Sequence, residues 1–227
     1  SLFNLQTPGF IYSRLTNPTV AALEERLATL EGGRGATATS SGHAAETLAL
    51  FPLMAPGMEV IVADQLYGGS INLMGKSYCK FGWKAVFVEN DEPEAFRSAV
   101  SENTRAIFVE SIANPGGVIV DLEAIAGVAR EAEVPLVVDN TMATPWLCRP
   151  FEWGADVVVH STTKFLSGQG NAMGGIVIDS GRSYFDTNVS AHHHFYNEDT
   201  RELFDIAGSE ISFDHLPTPP DGNQVSG

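Results

Sequence analysis

The chain has 227 residues, 44% of them hydrophobic and 18% charged, and a formal charge of −15 at pH 7. That length and balance fit a soluble globular protein with one substantial core. The acidic excess argues against a nucleic-acid partner or an anionic membrane surface, which need clustered Lys and Arg, but leaves room for a small anion in a local pocket.

A helix is predicted from Pro18. Asn17 is its N-cap, Pro18 suits the first turn, and Val20, Leu23, Leu27 and Leu30 recur on one face before "EGGRG" ends it. Short β-rich runs then alternate with helical stretches. The strands are "EVIVAD", "KAVFVEN", "RAIFVE", "PLVVDN", "DVVVHS" and "GGIVID". The helices fall near 43 to 54, 69 to 80, 93 to 100 and 121 to 132, the last capped by Asp121. Strands that are apolar on both faces, separated by amphipathic helices, predict an α/β fold with a mainly parallel sheet flanked by helices. Ligands gather at the carboxyl ends of such strands.

After about residue 180 the alternation stops, and the tail predicts at most one short helix before a Pro/Gly/Asn-rich end. Residues 181 to 227 hold eight acids against Arg182 and Arg201. The expected organisation is an N-terminal arm over 1–16, an α/β domain over 17–180 and an acidic tail over 181–227. No apolar run approaches the roughly 20 residues that cross a bilayer, and the start lacks a basic region followed by an apolar one, so a cytoplasmic location is expected. Cys79 and Cys148 form no CxxC pair and are read as free packing thiols.

Five segments carry chemistry. In "VVVHSTTKF" a buried-looking strand ends in Ser161, Thr162, Thr163 and Lys164. The other three lysines, Lys76, Lys80 and Lys84, sit four apart and would share one solvated helix face. An amine in a mostly buried setting has a depressed pKa and becomes nucleophilic, which a Schiff-base lysine requires. Asp139 leaves "PLVVDNT" at the carboxyl end of another strand. Alone it reads as a cap, but beside Lys164 it suits a pyridinium nitrogen, which needs an anionic partner. In "ATSSGHAAETLAL", Ser40, Ser41 and Gly42 lie where a helix begins and would offer backbone N–H groups and a positive dipole end to a phosphate, with His43 in the first turn. Tyr12 and Arg14 stand two apart in an extended stretch and so point to one side, where a phenol and a guanidinium suit a phosphate. Tyr67 follows "VIVAD" closely enough to lay its ring on a planar ligand. Each residue alone has a commoner explanation: a surface lysine or arginine, a turn cap, a core tyrosine.

Together, "YSRLTNPT", "SSGHAA", "YGG", "ESIANPGG", "VDNTMATP" and "GADVVVHSTTKFLSG" resemble the Cys/Met-metabolism family of pyridoxal 5'-phosphate (PLP) enzymes, over about Asn4 to Ile178. Within it, "NLQTPGFIYSRLTNPT", "NPGGVIVDLEAIA" and "PWLCRPFEWGAD" look most like the O-acetylhomoserine sulfhydrylases. The resemblance implies the large domain of an aspartate-aminotransferase-like fold with PLP as cofactor. Lys164 would hold the cofactor covalently and then shuttle protons; Asp139 would bind the pyridine nitrogen; Tyr67 would stack on the ring; Asn114 would lie beside the ring hydroxyl. Gly42, His43, Ser161 and Thr163 would hold the phosphate, and Tyr12 and Arg14 would reach the phosphate of a neighbouring subunit in a homo-oligomer. The implied reaction is γ-replacement on O-acetylhomoserine with sulfide or a thiol. Cystathionine γ-synthase and methionine γ-lyase activities are the alternatives within the family.

The family's chains run to about four hundred residues, with a C-terminal domain that supplies an arginine for the substrate carboxylate. Beyond roughly Gly181 no family motif is recognised, and Arg201 sits in no context that carries that role. A fragment, or a truncation retaining cofactor binding without turnover, is therefore also expected. A nucleotide-binding module is disfavoured because GxGxxG and P-loop patterns are missing. Metal binding through His192 to His194 is weighed against a solvated polar run.

Overall fold

The computed structural model describes residues 12–13, 17–89, 92–181, and the backbone of 192–197 and 202–207. The chain divides into two compact units, Ser1–Phe185 and Asp186–Gly227.

Helix α1 (Pro18–Glu31) opens as its sequence dictates: the Asn17 side chain accepts from the N–H groups of Thr19 and Val20. It closes on Gly32 at φ 81°, a left-handed conformation that glycine adopts without steric cost. The apolar stripe is buried only in part. Leu27 is buried and Leu30 half-buried, whereas Val20 and Leu23 are exposed among the described residues. The second half of the helix lies against the sheet, and Glu24 above it accepts the Ala38 N–H.

Seven strands form one mixed sheet: β1 (Gly35–Thr39), β2 (Glu59–Ala63), β3 (Lys84–Val88), β4 (Thr104–Glu110), β5 (Leu136–Asp139), β6 (Val157–His160) and β7 (Gly175–Asp179), in the order β1-β7-β6-β5-β4-β2-β3. The five from β6 to β3 run parallel, and β7 is antiparallel to both its neighbours. All six expected strands are present. β1, "GATAT", was not expected: its small residues carry no aliphatic alternation, and it forms at the sheet's edge by pairing with β7. Leu136, Val137 and Val138 are fully buried, each contributing about 1.5–3 kcal/mol by burial.

Helices flank this sheet. α2 (Gly42–Leu50) packs on β7, β6 and β1; α4 (Pro93–Ala99) on β3 and on α5 (Leu122–Glu131), which also packs on β5. Asp121 caps α5 by accepting the Ala124 N–H. The helix expected near 69 to 80 is instead α3 (Gly68–Asn72), a π turn (Leu73–Ser77) and a 3-10 turn (Tyr78–Phe81). Lys76, Lys80 and Lys84 consequently share no helix face: Lys84 opens β3, where it pairs with Glu59 at 3.2 Å. A short helix, α6 (Thr144–Leu147), follows β5.

In the second unit the described residues of the tail are strand, where at most one short helix was expected. His192–Asn197 (β8) and Glu202–Ala207 (β9) pair antiparallel as a hairpin. Both cysteines are free, yet Cys79 is exposed and Cys148 half-buried, so Cys79 is no packing thiol. Among the described residues no helix is long and apolar enough to cross a membrane.

Candidate active site

Parallel strands deliver their carboxyl ends to one side, and here those ends are polar. Glu110 ends β4, Asp139 ends β5 and His160 ends β6, with Glu110 and Asp139 in direct register. A cavity of about 700 Å³ opens above them, a volume suited to a cofactor-sized ligand. Gly42, His43, Tyr67, Asn114, Asp139, Ser161, Thr163 and Lys164 all line it. Eight of the ten residues singled out in the sequence thus meet at one place. Tyr12 is exposed and does not line the cavity; Arg14 lies outside the described residues.

One wall is the start of α2. Ser41 caps it, its side chain accepting the Ala44 N–H at 3.1 Å, and the first helical bond runs from Ala45 N–H to Ser41 O. The N–H groups of Gly42 and His43 precede that bond and point out of the helix end, as the first N–H groups of any α-helix do. A Cβ on Gly42 would stand 2.7 Å from the Ser161 Cβ. Glycine is what lets the helix end and the loop after β6 close together into a cradle for an anion.

The adjoining wall is the loop from Ser161 to Lys164. The Thr163 hydroxyl exchanges hydrogen bonds with the backbone of Gly174, donating at 3.2 Å and accepting at 3.1 Å. Ser161 N–H donates to the Thr141 hydroxyl at 2.8 Å, tying this loop to the segment after β5. Lys164 is exposed on the cavity lip, contrary to the mostly buried setting expected for it. The loop carries it past the end of β6, beyond the reach of the core that buries Val158 and Val159.

Asp139 is buried on the floor, and its Oδ1 accepts the Thr141 N–H at 2.8 Å. Burial pushes its carboxyl above the usual range, while the Thr141 hydrogen bonds and the nearby His160 and His43 act in the other direction. A buried acid of this kind favours a cationic partner, because a positive charge restores its ionised form. Tyr67 and His43 stand with ring centroids 5.9 Å apart, and a side chain on Gly69 would collide with both rings. Tyr67 N–H donates to Glu110 Oε1 at 2.7 Å, and Asn114 N–H donates to Glu110 Oε2 at 2.9 Å. One carboxylate thereby fixes the two loops bearing Tyr67 and Asn114.

Glu110 and Glu46 were not foreseen as site residues, although both line the cavity. Burial raises Glu110 to about 7 and Glu46 to about 8. Glu110 had the same signal as Asp139, an acid leaving an apolar strand at its carboxyl end. Glu46, inside a helix, had none. Behind the cavity floor a second cluster is fully buried. His160 Nε2 and Asn140 Nδ2 both meet Glu31 Oε1, at 2.5 and 2.9 Å, and Ser111 Oγ donates to Asn140 Oδ1 at 2.7 Å.

An amine, a buried carboxyl, an aromatic ring and a helix N-terminus around one cavity match the aldehyde, the ring nitrogen, the ring face and the phosphate of PLP. The donor set fits that cofactor, and the class defined is a PLP-binding α/β protein. The model of the Cys/Met metabolism PLP-dependent enzyme family matches residues 1–209, and the chain belongs to that family. The match extends past Gly181, further than the sequence motifs had indicated. An O-acetyl-L-homoserine sulfhydrylase from Leptospira meyeri is 49% identical over 180 residues, 79% of this chain and 41% of the relative. A homocysteine/cysteine synthase from Saccharomyces cerevisiae is 46% identical over 182 residues, 80% of this chain and 41% of the relative. The structure of a protein assigned as an O-acetylhomoserine (thiol)-lyase from Campylobacter jejuni, with a pyridoxyl-lysine monophosphate, aligns with a TM-score of 0.76 at 42% identity, covering 79% of this chain and 44% of that one. The chain spans about 41% of the length of the curated relatives it matches.

Proposed function

We propose that this chain supplies the cofactor-binding part of an enzyme that replaces the acetoxy group of O-acetylhomoserine with sulfide or a thiol, a step in sulfur amino-acid biosynthesis. The observation that carries the reading is the meeting of Lys164, Asp139 and the α2 N-terminus at one cavity. The sulfhydrylase and synthase relatives, near half identical, support the substrate.

In this reading PLP, when bound, supplies an electron sink that acidifies the hydrogens next to the substrate's amine-bearing carbon. Lys164 would hold the cofactor through its amine and, once freed, would take the Cα proton of the substrate. Asp139 holds a proton on the ring nitrogen. Gly42, His43, Ser161 and Thr163 would hold the phosphate, Asn114 would serve the ring hydroxyl, and Tyr67 would serve the ring face and the leaving group. A second proton would leave Cβ as acetate departs from Cγ; sulfide would add at Cγ, and protons would return to Cβ and Cα. The products are homocysteine and acetate; methanethiol in place of sulfide yields methionine. Tyr12 and Arg14 reach the phosphate of a second subunit, so the working form is a homo-oligomer, and its place is the cytoplasm.

The test is turnover. The purified chain is incubated with PLP, O-acetylhomoserine and sulfide, and homocysteine and acetate are measured by mass spectrometry. Equal amounts of both products, lost in Lys164→Ala, are expected. Bound cofactor with neither product would contradict turnover by this chain while leaving its cofactor-binding part in place; no bound cofactor would contradict the proposal itself.

A further inference from the structure

Glu46 has no part in the reaction described above, yet it lines the cavity and is almost wholly buried. It projects from α2, one turn beyond the Gly42 end. Its Oε1 accepts the Ser70 hydroxyl at 2.7 Å, and its Oε2 is buried with no hydrogen-bond partner. Ser70 is itself buried in α3, three residues after Tyr67. The carboxyl therefore stands between the helix with the anion-binding end and the element that follows the ring-facing tyrosine.

The charged and titratable neighbours come from every side. Asp139 from β5 and Glu110 from β4 face Glu46, as does Tyr78, whose hydroxyl shares a hydrogen bond with Thr47. Three carboxyls so placed cannot all ionise in a desolvated pocket, so the member with fewest donors is the one that keeps its proton. Asp139 has the Thr141 N–H and hydroxyl, with His160 and His43 nearby. Glu110 has the N–H groups of Tyr67 and Asn114, one on each oxygen. Glu46 accepts the Ser70 hydroxyl on Oε1, and its Oε2 has no donor.

We propose that Glu46 is a positioning residue of this site: a neutral carboxylic acid that keeps its proton so that the negative charge of the cavity floor rests on Asp139, where a pyridinium nitrogen would meet it. The inference rests on the reading of Asp139 as the ring partner. Glutamine at position 46 copies the neutral acid in shape and charge. Leaving Glu46 ionised would put a second anion beside Asp139 and hinder the ionisation of Asp139.

The experiment is carboxyl ¹³C NMR on the cofactor-free 227-residue chain labelled at Asp and Glu, with signals assigned through Glu46→Gln and Asp139→Asn. The Glu46 signal is expected to titrate near pH 8, after that of Asp139, and the Asp139 midpoint to move by less than about 0.3 unit in Glu46→Gln. A fall of about one unit or more in the Asp139 midpoint would overturn the inference, because it would show that Glu46 ionises first. Ser70→Ala is a second variant that leaves the carboxyl in place. Its expected result is a higher Glu46 midpoint with Asp139 unmoved; an unmoved Glu46 signal counts against the proposal. Failure to trap PLP on Lys164 would defeat the cofactor assignment separately, since the titration order is read without PLP.

Discussion

Two buried polar clusters sit at the same end of the same sheet, and they are built differently. Behind the floor, Glu31, His160, Asn140 and Ser111 bond to one another and to backbone, joining α1 to the ends of β4, β5 and β6. In front, Glu46, Glu110 and Asp139 line the cavity, and burial raises the pKa of all three. The rear cluster bonds to itself and holds strand ends in place, although Glu31 Oε2 and His160 Nδ1 are buried without a hydrogen-bond partner. The front cluster concentrates acids where a cation is wanted. Burial of polar groups therefore ties strand ends together in one and, in the proposed function, serves the ligand in the other, and variants should separate them.

The largest expected effect is in the rear cluster. Glu31→Ala leaves His160 and Asn140 buried without their shared acceptor and should lower stability by about 3–5 kcal/mol, measured by urea unfolding. A loss under about 1 kcal/mol would break the comparison.

The pH dependence of stability comes next, and it belongs to the front cluster. Glu46 and Glu110 are raised in the folded chain to about 8 and about 7, from 4.5. Their contribution is full below about pH 4.5, where folded and unfolded states are both protonated, and falls as pH rises towards 8 because the unfolded state sheds protons first. Urea midpoints should drop across that window, by a few kcal/mol in free energy for the pair. Glu46→Gln should flatten the upper part, between about 7 and 8. A steep drop persisting there in the variant would contradict the assignment.

Asp139→Asn should weaken PLP binding roughly 10- to 100-fold in a fluorescence titration while leaving the cofactor-free chain no less stable, since it removes a buried charge but keeps an acceptor for the Thr141 N–H. A large stability loss instead would place Asp139 with the rear cluster. The smallest effect is expected for Gly42→Ala. Its Cβ would meet Ser161 at 2.7 Å, forcing the cradle apart and weakening PLP binding roughly three- to tenfold by calorimetry, with a modest stability cost.

The sheet was legible because its central strands are valine- and isoleucine-rich runs, and the same runs showed which acids and which lysine stand at their carboxyl ends. Asp139 and Lys164 were read that way, and Gly42 and His43 from the serine and glycine before a helix. What escaped had weak or misleading local signals. β1 is made of Gly, Ala and Thr and owes its existence to pairing with β7. The spacing of Lys76, Lys80 and Lys84 imitates a helix, but the chain tightens into a 3-10 turn and then enters β3. Glu46 and Glu31 look like solvated helix residues, and only the tertiary fold reveals that both are buried. Lys164 was found by its company, whereas its exposure depends on the course of a loop.

The account stands most directly on Lys164. The chain is mixed with PLP, reduced with borohydride and digested, and the peptides are sequenced by mass spectrometry, with Lys164→Ala treated alongside. The account predicts one pyridoxyl-modified peptide, carrying the label on Lys164 and missing from the variant. Label spread over Lys76, Lys80 and Lys84, or label undiminished in Lys164→Ala, would contradict it.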